Sequence, residues 1–128
     1  MKALLDTHAL LWMVSESKKL TRPARAAIAD ESNELFFSIA GYWEIGIKQS
    51  LGKLSLTHGW QEALPKEMTR NGISFLPVEP VHIHGVAALP WIHRDPFDRL
   101  MVAQAHIESM AIISRDSQLS GYGVPIIW

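Results

Sequence analysis

Five short apolar runs constrain this chain more than any other feature. ALL (3–5), ELFFS (34–38), ISFLPV (73–78), AIIS (111–114) and VPIIW (124–128) alternate with segments of helical spacing. The runs are mostly continuous rather than alternating, as expected of strands buried on both faces. A parallel sheet covered by helices satisfies that requirement, so the fold class is α/β. THALLWMV follows the first run. TRPARAAIADES (21–32) reads as a second helix with Pro23 in its first turn. IAGYWEIGIKQSLG reads as a third, with Ser38 as N-cap and Gly52 as its stop. Residues 59–72 are helical but interrupted by Pro65. PVHIHGVAALP is a short helix, and PFDRLMVAQAHIESM (96–110) is the clearest helix of all. No repeat or linker divides the 128 residues, which suit one domain with one core, 1–128.

Composition narrows the function. Twelve Lys and Arg stand against thirteen Asp and Glu, so the chain does not bind nucleic acid by bulk charge, and any such contact must be local. Absence of cysteine excludes disulfides and thiolate metal sites. The first apolar run meets Asp6 almost at once, unlike a signal peptide. No stretch approaches the roughly 20 apolar residues that span a bilayer. The expectation is a soluble, cytoplasmic protein without a membrane partner.

In open parallel sheets, ligands bind beyond the carboxyl ends of the strands. Acids stand at those places. Asp6 directly follows ALL and Asp116 follows AIISR. Capping or an Asx-turn accounts for either in isolation. Asp95-Pro96 reads as an N-cap followed by proline at the first helical position. Asp98, at the third, has the weaker structural explanation because Asp95 already caps. Glu44 is hardest to explain structurally. It lies within IAGYWEIGI, and pairing with Lys48 four residues on is worth only about 0.2–0.5 kcal/mol. Ala40 and Gly41, one turn earlier, are expected to leave open space beside it.

Four carboxylates at one sheet edge repel one another unless something positive sits among them. Oxygen-only ligation suits Mg²⁺ or Mn²⁺. Arg94, Arg99 and Arg115 each stand beside an acid, and Lys48 is one turn from Glu44. Surface pairing explains each as well as a role on a phosphodiester does.

The segments LLDTHALLW (4–12), SIAGYWEIGIK (38–48), HRDPFDRLMVAQA (93–105) and IISRDSQLSGYGV (112–124) together resemble the PIN-domain ribonucleases, and among them the VapC-type toxins of bacterial toxin–antitoxin pairs. The resemblance spans nearly the whole chain. It implies a three-layer α/β/α domain with a twisted parallel sheet of about four or five strands. It also implies a Mg²⁺- or Mn²⁺-dependent endoribonuclease acting by metal-assisted hydrolysis, leaving 5′-phosphate and 3′-hydroxyl ends. The implied site is Asp6, Glu44, Asp98 and Asp116 as metal-holding catalytic acids, with Thr7 and Asp95 in support and Arg99 and Arg115 toward substrate. The implied partners are RNA, a VapB-like antitoxin and a second copy of the chain, with helices 21–32 and 39–50 as candidate surfaces. One departure stands out: Gly41 occupies the place of the second serine in the family's SxxSxWE pattern.

His82 and His84, two apart, fall on different faces of a helix and are expected to be solvated or loosely packed rather than zinc ligands. His8 fits the site rim or a helix surface equally. Trp12 and Trp43 are expected in the core, the latter walling the site. The competing functions are a structure-specific DNA nuclease with the same acids, a phospho-acceptor receiver-like domain, and a non-catalytic partner-binding PIN domain. The receiver reading is weakened because Thr7, not a second acid, follows Asp6, and Arg115-Asp116 stands near the place its lysine needs.

Overall fold

A computed structural model describes residues 1–128. Five parallel strands lie in the order β3-β2-β1-β4-β5: β1 Lys2–Leu5, β2 Glu34–Ser38, β3 Ile73–Leu76, β4 Ala111–Ile113 and β5 Ile126–Ile127. The five apolar runs are the five strands, the last three of them shortened. β3 ends before Pro77 and β5 begins only after Pro125, because proline supplies no N–H to a ladder, and β4 ends before Ser114.

Side-chain alternation divides the core into two layers. Ala3, Leu5, Leu35 and Phe37 face one side, where they pack with residues of α1 (Thr7–Val14), α2 (Arg22–Ala29), α3 (Ile39–Ser50) and α4 (Trp60–Arg70). Leu4 and Ile112 face the other, against Met101, Val102 and Ala105 of α6 (Pro96–Glu108). The helix α5 (Pro80–Ala88) packs on α6. The architecture is thus three-layer α/β/α, with the sheet between two helical layers. No helix is long and apolar enough to cross a membrane.

Pro65 does not interrupt α4, which runs unbroken from Trp60 to Arg70. The helix tolerates it with its apolar face, Leu64 and Met68, buried in the core. His82 is not solvated or loosely packed but 1% exposed. Its Nδ1 accepts the Glu79 N–H at 3.0 Å and its Nε2 lies 3.0 Å from Glu108 Oε1, so it ties the start of α5 to the end of α6. Trp43 is not in the core either. It is 65% exposed and touches only the edge of Phe97 among aromatics, with 5.5 Å between ring centroids. Every residue of IAGYWEIGI is apolar or small except Glu44, so composition alone does not tell which face of α3 is outward.

The strand order reverses between β1 and β4: the chain first builds outward through β2 and β3, then returns to the other side of β1. A crevice opens at such a point beyond the carboxyl ends of the strands. Asp6 leaves β1 and Asp116 follows β4, one on each side of it.

Candidate metal centre

Each acid arrives at the crevice through a local structural reason. Asp6 has extended backbone and caps α1, its Oδ1 accepting the Ala9 N–H at 2.7 Å. Asp95 caps α6, its Oδ1 accepting from Phe97 N at 2.9 Å and Asp98 N at 3.0 Å. Asp116 caps a 3₁₀ helix, Ser117–Tyr122, accepting from Gln118 N at 3.0 Å. Capping a helix typically contributes about 1 kcal/mol. The structural and the functional explanations therefore hold together, because a capping carboxylate still has lone pairs to offer.

Asp6, Glu44, Asp98 and Asp116 line one open cavity of about 620 Å³ together with Thr7, Asp95, Lys48 and Arg115. His8, Trp12, Ser117 and Gln118 complete its wall. Trp12 is thus only partly core. It meets Trp128 at a tilt and carries the His8 ring stacked on it. Arg115 holds its guanidinium 6.0 Å from the Trp12 ring centroid.

Arg99 is not brought into the cavity. It is 4% exposed, and its guanidinium donates to Pro90 O at 2.9 Å and Val86 O at 3.2 Å while lying 3.9 Å from the Trp91 ring centroid. The sequence places it beside Asp98, but one residue on along a helix is a rotation of about 100°. It faces the layer behind the site. Arg94 does not line the cavity.

Glu44 is 6% exposed and fully satisfied: Thr7 Oγ1 donates to Oε1 at 2.6 Å, and Lys48 Nζ lies 3.1 Å from Oε2. The space expected beside Glu44 is only a cavity of about 20 Å³ lined by Gly41, Glu44 and Asp98, and it does not extend to the Cβ position of residue 41. A Cβ built there would stand 2.7 Å from Cζ of Phe37, whose ring is buried. Phe37 fills the volume that a serine side chain would need, so the glycine is a packing requirement of this core.

Two contributors escaped the sequence reading. Ser114 donates its hydroxyl to Asp6 Oδ2 and accepts the Asp116 N–H at 3.0 Å, linking two of the acids. His93 places Nε2 2.9 Å from Asp116 Oδ2 and 3.4 Å from Asp98 Oδ2. With one ligand atom from each, His93, Asp98 and Asp116 fall within 4.8 Å of one another. For His93 the only sequence signal was its place two residues before Asp95.

Electrostatics separates the acids. Asp6, Glu44 and Asp116 each have both oxygens engaged by donors of the chain. Asp98 has only the long contact from His93, shared with Asp116. Burial, then the neighbouring Asp95 charge, push its carboxyl up to about 7, with Glu44 and Asp6 adding to this and His93 opposing it. Burial also raises Asp6, against the hydrogen bonds from Ser114 and Ala9. The cavity therefore holds more negative charge than its own cations balance. Its donors are carboxylate oxygens in a space open to water, a set that fits a hard divalent cation.

The PIN domain family model matches residues 3–124. No curated protein sequence matches the chain. Among solved structures, VapBC2 from Rickettsia felis bound to a DNA fragment from its promoter is similar at a TM-score of 0.74 and 12% identity, covering 98% of this chain and 97% of that one. VapBC-1 from nontypeable Haemophilus influenzae is similar at a TM-score of 0.70 and 16% identity, covering 98% and 96%. FitAcB from Neisseria gonorrhoeae is similar at 0.67 and 15%, covering 97% and 95%. At these identities the likeness is one of fold.

Proposed function

The chain belongs to the PIN-domain family, whose members are generally nucleases, and from that premise we propose that it is a metal-dependent endoribonuclease, the VapC-type toxin of a toxin–antitoxin pair. The observation that carries the proposal is the meeting of Asp6, Glu44, Asp98 and Asp116 in one open cavity at the reversal point of the sheet.

These four acids would hold Mg²⁺ or Mn²⁺. A bound ion supplies Lewis acidity toward the phosphate and lowers the pKa of a bound water. The chain supplies the rest. Thr7, Lys48, Ala9 and Ser114 fix both oxygens of Asp6 and of Glu44, so these two cannot rotate away when an ion enters. Asp95 sets the first turn of α6 and so the direction of Asp98. Asp98 is the acid with an oxygen to spare. Arg115 and Lys48 stand on the cavity wall where they can receive phosphate oxygens. Ser117 lines the cavity, but its hydroxyl is hydrogen-bonded to no histidine or carboxylate that could activate it as a covalent nucleophile, which supports attack by water.

The near balance of charge favours a local, single-stranded RNA contact over wide binding to duplex DNA. The similar VapBC and toxin–antitoxin structures are complexes, and on that likeness the partner of this chain is an antitoxin. A second copy of the chain is the other expected partner, and the site of action is the cytoplasm.

The test is cleavage of total cellular RNA by purified protein, with Mg²⁺ or Mn²⁺ and with chelator, beside Asp98→Ala. Metal-dependent fragments that disappear with the variant support the reading. Cleavage of DNA in place of RNA would move it to a DNA nuclease. Inactivity on both substrates would leave a partner-binding domain.

A further inference from the structure

We propose that His93 is a positioning residue of this site, one that donates from Nε2 to orient Asp116 and Asp98 and does not itself ligate the metal. The inference rests on the nuclease reading of the same cavity.

Distance alone would make His93 a ligand, because its Nε2 and two carboxylates lie close enough to share an ion. The other ring nitrogen decides otherwise. His93 Nδ1 accepts the backbone N–H of Asp95 at 3.1 Å. A nitrogen that accepts carries a lone pair, so the ring proton is on Nε2. A metal-ligating imidazole has the opposite arrangement: its free nitrogen donates, which leaves the ligating one bare. Here the bare nitrogen is turned to the backbone and the N–H is turned to the acids. It meets Asp116 Oδ2 at 2.9 Å and Asp98 Oδ2 at 3.4 Å. With Gln118 N on Oδ1, both oxygens of Asp116 are then directed, and one donor spans the two acids that come from different elements.

The ring is held where it is by residues with no contact to the acids. The segment carrying it, between α5 and α6, is clamped at His93 N by the Tyr122 hydroxyl at 2.7 Å. It is clamped at Pro90 O by Arg99, whose guanidinium also supports the Trp91 ring. Asp95 joins the two functions, capping α6 with its side chain and fixing the tautomer of His93 with its backbone. These contacts give buried Arg99 a positioning role at one remove, through the loop.

The test uses the full chain. In metal-free protein, long-range proton–nitrogen correlation NMR should find the His93 ring proton on Nε2; a proton on Nδ1 overturns the proposal. On Mn²⁺ titration followed by EPR, the bound ion should show no directly coordinated nitrogen. A strong nitrogen coupling that vanishes in both His93→Ala and His93→Gln makes His93 a ligand and overturns it. His93→Ala should weaken Mn²⁺ binding by about 10–100-fold. His93→Gln, whose amide N–H reaches the Nε2 place, should recover most of that loss. Unchanged affinity in His93→Ala, with a melting curve like the wild type, overturns the orienting role. Failure of the nuclease reading looks different: Asp98→Asn would then bind Mn²⁺ as the wild type does, while His93 kept its tautomer.

Discussion

Thr7 donates its hydroxyl to Glu44 Oε1 at 2.6 Å, joining the first turn of α1 to the middle of α3 across 37 residues of sequence. Glu44 has one other partner, Lys48, itself partly exposed. Thr7→Val keeps the shape and removes the donor, leaving a buried carboxylate half satisfied. A hydrogen bond to a charged group contributes about 1.5–3 kcal/mol, so the loss in chemical denaturation should be of that order. Thr7→Ser should restore most of it. Equal stability of Thr7→Val and wild type would show that Lys48 and water suffice.

Gly41 and Phe37 make the second prediction. A Cβ at position 41 would lie 2.7 and 2.9 Å from two ring atoms of Phe37, and that ring is enclosed by the first core layer. Gly41→Ser should therefore destabilise by about 1–3 kcal/mol, the usual cost of overpacking, although serine is the family's residue at this place. In the Phe37→Leu background the same change should cost less. Additive effects in that double-mutant cycle would refute the steric coupling.

The contrast between Glu44 and Gly41 shows what the sequence made legible. Capping, strand runs and the acids beyond them depend on neighbours along the chain, and Asp6, Asp95 and Asp116 were found that way. The burial of Glu44 followed from its apolar surroundings. Ser114 was missed because its partner Asp6 lies 108 residues away, and the His93–Asp116 contact spans 23. Phe37 against Gly41, Trp43 turned outward and Arg99 turned inward all depend on which way a helix is rotated. An apolar stretch such as IAGYWEIGI does not encode that rotation by itself.

Asp98 supplies a pH prediction. Its carboxyl stands at about 7 in the folded chain because burial and Asp95 disfavour its charge, against an ordinary value of 3.8. Between those values the folded state keeps a proton that the unfolded state releases. The metal-free protein should thus lose stability from this group as pH rises from about 4 to about 7, with the full penalty present above 7. Asp98→Asn removes the group. Its melting temperature should exceed that of the wild type at pH 8 and converge with it near pH 4, and Mn²⁺ at pH 8 should raise the wild type more. A constant difference across this range would place the effect elsewhere.

The two arginines beside the acids should part company in salt dependence. Arg115 lines the cavity, whereas Arg99 is enclosed and hydrogen-bonded to backbone carbonyls. A cation that neutralises one phosphate contributes about 0.7 to the slope of log binding constant against log salt for a single strand. With an inactive Asp98→Ala background and single-stranded RNA, Arg115→Gln should lower that slope by about 0.7. Arg99→Gln should leave the slope unchanged and instead lower the melting temperature, since it empties a buried, charged hydrogen-bonding position and releases Trp91. A reduced slope in Arg99→Gln at unchanged stability would return Arg99 to the substrate. The distinction follows from geometry: neighbouring positions on α6 point about 100° apart, so adjacency to Asp98 in sequence puts Arg99 behind the site and not within it.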